Sequence, residues 1–349
     1  MQSGIQTTNG KAFEYACIKS LYENLKSMQQ IEMTPSAPLD TAKTLYESID
    51  NQTRISLDYA ADAAVNVIER LEPQLWNPAD NEPLYLDIQP DSAGISGDVR
   101  DIVCLRKQTG WQIGLSCKHN HHAVKHSRLS DTIDFGKEWL SIPCSDVYFS
   151  KVVPLFTALR NKRDQSAAAG HPVLWKDVYD KAGTYYRPIL QAFIDELVRI
   201  YHENEKSVPE SLIRYLLGRD DFYKVITDDK NRTTRVEGVN ISGTLNADSG
   251  NERSIAKVPL LKMPSRFYHI GFKEGSDNTI EVVCDEGWQI SMRIHNASSR
   301  VEPSLKFDVQ LISFPASIYA QTEPWDTADN ASVDRIRAYS KRITGCDLT

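Results

Sequence analysis

Two β-rich runs separated by a four-residue turn constrain the fold of this 349-residue chain more than any other feature. The runs extend over residues 99–106 and 111–118, and KQTG at 107–110 has the composition of a turn. This arrangement predicts a β-hairpin. In a hairpin the end of the second strand returns beside the start of the first. Asp101 and Lys118 are therefore expected side by side at one edge of a sheet.

The rest of the chain divides into helical and β-rich stretches. Helices are predicted from apolar periodicity over residues 9–30, 38–49, 54–72, 132–142, 146–163, 175–203 and 208–217. Ser130 is the expected N-cap of the fourth of these helices. Strands are predicted at LYLDI (84–88) and, from about residue 222, at 235–245, 254–261, 266–272, 279–284, 287–294 and 307–314.

This pattern predicts the α/β (α+β) class, with a mixed sheet flanked by helices and a β-rich C-terminal part. A domain boundary is expected near residue 220. Residues 1–220 would form a helical N-terminal segment and a core, and residues 221–349 a β-rich region. The chain has no apolar stretch long enough to span a bilayer. Its six cysteines fit neither a zinc site nor a disulfide framework, which favours a reduced, cytoplasmic protein.

The net charge of −7 conceals an uneven distribution of charge. Residues 1–99 contain 6 basic and 15 acidic side chains, whereas the other 250 residues contain 34 basic and 32 acidic ones. The acidic surplus therefore belongs to the helical front of the chain. A polyanionic partner is not excluded by the total charge.

A carboxylate beside an ammonium group suits metal-assisted phosphodiester hydrolysis. The carboxylate of Asp101 can hold Mg²⁺, a hard cation that prefers oxygen ligands. The metal polarises a phosphate oxygen and activates water. The ammonium of Lys118 can orient that water or stabilise the developing charge. The alternative is a surface hairpin in which both charges are solvated.

The hairpin resembles the PD-(D/E)xK nuclease core, in which an Asp precedes an apolar strand and Asp/Glu-x-Lys ends the next. Arg100 replaces the proline of that pattern, and Ser116 replaces the second carboxylate. A serine hydroxyl is the weaker Mg²⁺ ligand, so a carboxylate is expected from elsewhere in the chain. Glu14 and Asp98 are the two candidates for this role.

Each candidate also has a structural interpretation. Glu14 shares the apolar face of the first helix, where a buried carboxylate needs a partner or a metal. It can equally be a partly solvated acid near a helix N-terminus. Asp98 can point into the site from three residues before Asp101, or it can be a turn residue after Gly97.

Basic and neutral donors surround the hairpin. Residues 98–128 contain six Lys and Arg against two Asp, together with four of the eight histidines. A second basic run at 253–273 contains five Lys and Arg and no acid. Such groups contact DNA phosphates, and Arg or Lys also reads guanine. The residues predicted to contact DNA are Arg100, His119, Asn120, His121, His122, Lys125, His126, Arg128, Lys257, Lys262, Arg266 and Arg293.

Several stretches together resemble the HaeIII-type family of type II restriction endonucleases. They are NGKAFEYA near the start, SGDVRDIV, GLSCKHNHHAVKHSRLS and IDFGKEWL. The resemblance is firmest over residues 9–26 and 95–150. It implies a PD-(D/E)xK-like fold and Mg²⁺-dependent cleavage of double-stranded DNA, with blunt cutting at the centre of GGCC. Asp101 and Lys118 then occupy the nuclease core positions, and Glu14 lies in the N-terminal helix motif.

The predicted partners follow from that function. They are double-stranded DNA and a cognate DNA methyltransferase that acts on the same site without having to bind the enzyme. A palindromic target suits a two-fold dimer, although a monomer can cut the strands in turn. The alternatives are a nuclease with another target, a non-catalytic DNA-binding protein on a decayed nuclease core, and a protein that does not bind nucleic acid.

Overall fold

The computed structural model describes residues 2–76, 81–119, 127–168, 170–249 and 252–325. Its helices are α1 (Gln2–Leu25), α2 (Ala37–Ser48), α3 (Asn51–Leu71), α4 (Phe135–Leu140), α5 (Asp146–Ala168), α6 (Arg187–Glu203) and α7 (Val208–Leu217). In the described part of the chain, no helix is long and apolar enough to cross a membrane.

The strands form two sheets. They are β1 (Ile31–Met33), β2 (Leu84–Ile88), β3 (Ile102–Leu105), β4 (Gln112–His119), β5 (Arg128–Ser130), β6 (Phe222–Asp228), β7 (Thr233–Val239), β8 (Phe267–Phe272), β9 (Thr279–Cys284), β10 (Gln289–His295), β11 (Ser304–Ser313) and β12 (Tyr319–Pro324). The first sheet has the order β1-β2-β3-β4-β6-β7-β12, and the second has the order β5-β11-β10-β9-β8.

The first sheet is mixed, as predicted. β4 lies in its centre, antiparallel to β3 and parallel to β6. Alternate residues of a strand point to opposite faces. On β4, Ile113, Leu115 and Cys117 are buried in one core together with apolar side chains of α1 and α3. Ser116 and Lys118 therefore project from the opposite face.

The second sheet has its own core. The inward side chains of β11 include Leu305, Phe307 and Val309, all fully buried. They share a core with apolar residues of α4, α5, α6 and α7. Aromatic rings fill much of this core; for example, the centroids of Phe193 and Phe307 lie 5.4 Å apart. The second sheet is thus covered by helices on one face.

Three local predictions are wrong. Ser130 lies in β5, and α4 is capped instead by Asp134, whose side chain accepts from the backbone N–H of Lys137 at 2.9 Å. The long helix predicted over 175–203 begins only at Arg187, after a 3₁₀ turn and a π-helical turn. Residues 254–261 do not form a strand: Ile255 donates to the carbonyl of Arg70 in α3, and Val258 and Leu261 donate to residues of the loop that follows β7.

Strand pairing crosses the boundary predicted near residue 220. β6, β7 and β12 follow that boundary in the chain, yet they belong to the same sheet as β4. β5 precedes the boundary but pairs with β11 in the second sheet. Each sheet therefore contains strands from both sides of residue 220.

Candidate active site

The hairpin brings Asp101 and Lys118 together, as the sequence predicts. Asp101 lies directly before β3, and its backbone N–H donates to the carbonyl of Leu115 at 2.8 Å. Lys118 Nζ lies 3.4 Å from Asp101 Oδ2. The same carboxylate oxygen accepts from the backbone N–H of Cys117 at 2.7 Å. The carboxylate is thereby held in place at the end of β4.

Helix α1 supplies a second carboxylate. Glu14 is only 6% exposed. Burial, and next the negative charge of Asp101, raise the pKa of Glu14 to about 8, although Lys11 and Lys118 act in the opposite direction. A carboxyl group whose ionisation is disfavoured by a neighbouring carboxylate is the arrangement expected where a cation binds. Glu14 is thus the candidate acid that the fold places beside Asp101 and Lys118.

Lys11 lies one helical turn before Glu14 and was not identified from the sequence. Its Nζ is 3.0 Å from Glu14 Oε2 and 2.6 Å from Asp91 Oδ1. Burial would lower the pKa of Lys11, but these two carboxylates outweigh that effect and raise it. Lys11 therefore stays charged beside Glu14. The i, i+3 spacing of the two residues on a helix is the signal that could have identified the pair.

Asp98 lies in a different ion pair. Its Oδ1 accepts from Arg100 Nε at 2.8 Å, and its Oδ2 accepts from Arg100 Nη2 at 2.7 Å. Burial would raise the pKa of Asp98, but the hydrogen bonds from Arg100 outweigh it and lower that pKa. Both carboxylate oxygens are engaged, so the structure favours Glu14 over Asp98 as the second acid of the site.

Arg100 is buried by the same ion pair, which does not fit its predicted contact with DNA. It is 9% exposed, and its Nη2 also lies 3.5 Å from Asp220 Oδ2. Its side chain crosses Gly114, where an added Cβ would lie 1.9 Å from Arg100 Cδ. Glycine at this position of β4 is required for Arg100 to reach Asp98.

We expect Asp98→Asn to destabilise the protein without removing a catalytic group. Breaking a buried ion pair leaves an uncompensated charge, which costs about 3 kcal/mol. Urea unfolding followed by circular dichroism measures this loss. DNA cleavage should persist at temperatures where the variant is folded. A variant with wild-type stability that no longer responds to Mg²⁺ would instead assign Asp98 to the metal.

Ser116 does not bring an acid to the site. Its Oγ lies 3.5 Å from Asp101 Oδ2, and its neighbours across the sheet are Lys224 on β6 and Glu237 on β7. Lys224 is 5% exposed, and burial lowers its pKa to about 8. Lys224 was not predicted from the sequence. A lone lysine within the apolar run FYKVITD was the available signal.

The donor set fits Mg²⁺. This ion is usually bound by one or two carboxylates, and substrate phosphates and waters complete its shell. Glu14 and Asp101 supply two carboxylates, and a DNA phosphate would supply further oxygen. Within the described ranges there is no group of three or more His, Cys, Asp or Glu side chains that could hold a metal ion.

The predicted DNA contacts near the hairpin have different environments. His119 is 9% exposed, and its Nε2 lies 3.1 Å from Asp229 Oδ2, so it is not available at the surface. Arg128 is exposed on β5, with Nη1 3.8 Å from Glu302 Oε2. The predicted contacts outside the described residues are Asn120, His121, His122, Lys125 and His126.

Part of the basic run at 253–273 is held near the end of β6 that is opposite to Lys118. Its Leu261 donates to the carbonyl of Asn240, directly after β7. β7 ends beside the start of β6, whereas Lys118 lies beside the end of β6. Exposed basic side chains do occur in this run and on β10, where Arg293 is paired with Asp308 at 3.0 Å. The other exposed predicted contacts are Lys257, Lys262 and Arg266.

Comparison with known proteins identifies the family. The HaeIII restriction endonuclease family matches residues 10–315. The chain is 38% identical to the type II restriction enzyme HaeIII of Haemophilus aegyptius over 319 residues, which cover 91% of this chain and 98% of that protein. No solved structure gives a significant match. Because the match includes Glu14, Asp101 and Lys118, the site lies within the shared region, and the chain belongs to the HaeIII restriction endonuclease family.

Proposed function

We propose that this protein is a type II restriction endonuclease that hydrolyses both strands of DNA at a short palindromic site, with Mg²⁺ as its cofactor. The observation that carries the proposal is the convergence of Glu14, Asp101 and Lys118 at the end of a central strand. Family membership gives the reaction class, and the three side chains supply the groups that the reaction needs.

Glu14 and Asp101 would hold the metal. When bound, Mg²⁺ polarises a phosphate oxygen and lowers the pKa of a water that attacks phosphorus. Lys118 Nζ is held beside Asp101, where it can donate to the attacking water or to the charged phosphate oxygens. In-line attack then leaves a 5′-phosphate and a 3′-hydroxyl. Ser116 can contribute through its hydroxyl, which lies near Asp101.

The electrostatics of the site support this assignment. The pKa of Glu14 is raised by burial and by Asp101, so binding of a cation relieves the repulsion between the two carboxylates. Burial would lower the pKa of Lys118, but Asp101 together with its other neighbours outweighs that effect and raises it, so Lys118 remains charged. A permanently charged ammonium stabilises phosphate charge and does not act as a general base.

The target is proposed to be GGCC, cut bluntly at its centre, as the family resemblance implies. A palindrome of this kind suits a symmetric homodimer. The cellular counterpart is a DNA methyltransferase that protects the same site, and the proposed compartment is the cytoplasm. The exposed basic groups on the second sheet and in the 253–273 run are the candidate DNA contacts.

Digestion of a sequenced plasmid with the purified protein tests this function. In Mg²⁺ we expect discrete fragments whose ends map to the centre of GGCC, and no fragments in EDTA. Discrete ends at another sequence would retain the nuclease and replace the target. DNA binding without cutting in any divalent metal would favour the non-catalytic alternative that the Ser116 substitution suggests.

A further inference from the structure

Three basic side chains form one row across the second sheet. Strand register places Arg128 on β5 directly opposite Lys306 on β11, and Lys306 directly opposite His295 on β10. The neighbouring residues Leu305 and Phe307 are fully buried beneath the sheet. The row therefore projects from the face of the sheet that is opposite its core.

This row is unfavourable for the free protein. Like charges directly opposite each other on neighbouring strands are destabilising. Burial and the adjacent Arg128 both lower the pKa of Lys306, in spite of Asp308. Asp308 lies 3.0 Å from Arg293, outside the row, whereas Glu302 lies 3.8 Å from Arg128 and compensates part of the charge of that guanidinium. Binding of an anion would offset the repulsion within the row.

The row also presents hydrogen-bond donors in an arrangement that fits a phosphate. His295 Nδ1 is 2.7 Å from the carbonyl oxygen of Asn296, which makes Nδ1 the donor, so Nε2 can donate to a phosphate only when the ring is protonated. Arg128 Nη1 donates to Ser304 Oγ at 3.2 Å, which orients the guanidinium along the edge of the sheet. Guanidinium, ammonium and hydroxyl groups together are typical of a surface that contacts phosphate.

The chain connects this row closely to the candidate active site. Ser127 accepts from the backbone N–H of Phe307 at 2.7 Å, which fixes the start of β5 against β11. His119, the last residue of β4, precedes Ser127 by eight residues, so the two are at most about 29 Å apart. One turn of a DNA duplex is about 34 Å long. A duplex bound at Lys118 can therefore also reach the row.

We propose that Arg128 and Lys306 hold a phosphate of the DNA backbone that flanks the cleavage site, and that His295 adds a third donor when its ring is protonated. This inference rests on the proposed function and adds a docking surface to it. Contacts of this kind fix the position of the duplex and carry no sequence information. The row therefore contributes to affinity for any DNA, and the bases are read elsewhere.

The test measures binding separately from cutting. A fluorescently labelled duplex of about 20 base pairs with one GGCC, and a second duplex without it, are titrated with protein in Ca²⁺ at several salt concentrations. We expect Lys306→Gln to weaken binding to both duplexes about eightfold at 0.1 M salt and to reduce the slope of log K against log salt by about 1. Lys306→Arg should bind as the wild type does.

Lys43→Gln is the matched control, since Lys43 is a half-exposed lysine of α2 that lies 4.0 Å from Glu47. It should leave affinity and slope unchanged. An unchanged slope in Lys306→Gln overturns the inference, as does a loss confined to the GGCC duplex. A wild type that binds both duplexes but cuts neither in Mg²⁺ contradicts the proposed function instead. Thermal unfolding verifies that each variant is folded.

Discussion

Lys118→Ala should lower the rate of DNA cleavage by about a thousandfold, which is the usual effect of removing a group that stabilises transition-state charge. Lys118 Nζ is held 3.4 Å from Asp101 Oδ2. Because both side chains are partly buried, the ammonium charge of Lys118 is less screened by water. A single-turnover assay with excess enzyme and saturating Mg²⁺ measures the chemical step.

The control for this variant must separate chemistry from folding and binding. Lys43→Ala removes a lysine of α2 that is paired only at the protein surface, and it should cut at the wild-type rate. Lys118→Ala should still bind the duplex in Ca²⁺. If fragments form at more than about a tenth of the wild-type rate, the assignment of Lys118 is wrong.

Glu14→Gln should lower the affinity for Mg²⁺ at least about a hundredfold, because loss of even an outer partner of a metal ligand costs about 10–100-fold. In the wild type, burial and Asp101 raise the pKa of Glu14 to about 8. At lower pH the metal must displace a proton from Glu14. The Mg²⁺ concentration for half-maximal cleavage should therefore fall as the pH rises towards about 8.

The same residue predicts how stability depends on pH without metal. A carboxyl whose pKa is higher in the folded than in the unfolded protein stabilises the fold at low pH, and this contribution is lost as the pH rises through about 8. Unfolding in EDTA should show stability falling from about pH 5 to about pH 8, and Glu14→Gln should reduce this fall. A Glu14→Gln variant with wild-type Mg²⁺ affinity would contradict the role of Glu14.

Local sequence patterns were sufficient to predict most helices and strands and the proximity of two site residues, Asp101 and Lys118. The strand at 84–88 and the helix at 208–217 were predicted with the bounds that the structure has. The hairpin placed Asp101 beside Lys118, because the register of two antiparallel strands follows from the turn between them. These features depend on residues close to each other in the chain.

The choice between Glu14 and Asp98 could not be made in this way. Asp98 is nearer to Asp101 in the chain, but Arg100 lies two residues away and binds both of its oxygens. Glu14 reaches the site only because α1 packs on β4, which is a long-range contact between elements. Sequence proximity favours local ion pairs and does not reveal which helix covers a strand.

The row of Arg128, Lys306 and His295 was missed for a similar reason. Arg128 was predicted from a basic run, but Lys306 stands alone in a strand of alternating apolar residues. The pairing of β5 with β11 joins segments about 175 residues apart, and strand register is not readable from either segment alone. Pro259 explains why the β-rich segment 254–261 did not form a strand, since proline cannot donate a hydrogen bond to a neighbouring strand.

The position of a bound metal tests directly whether Glu14 and Asp101 are its ligands. Anomalous diffraction from Mn²⁺, in crystals of Lys118→Ala with an uncut GGCC duplex, would locate the ion. We expect a peak about 2.0–2.2 Å from oxygens of both Glu14 and Asp101, with a phosphate oxygen of the duplex as a further ligand. A peak at Asp98, or an ion bound without Glu14, would contradict this assignment.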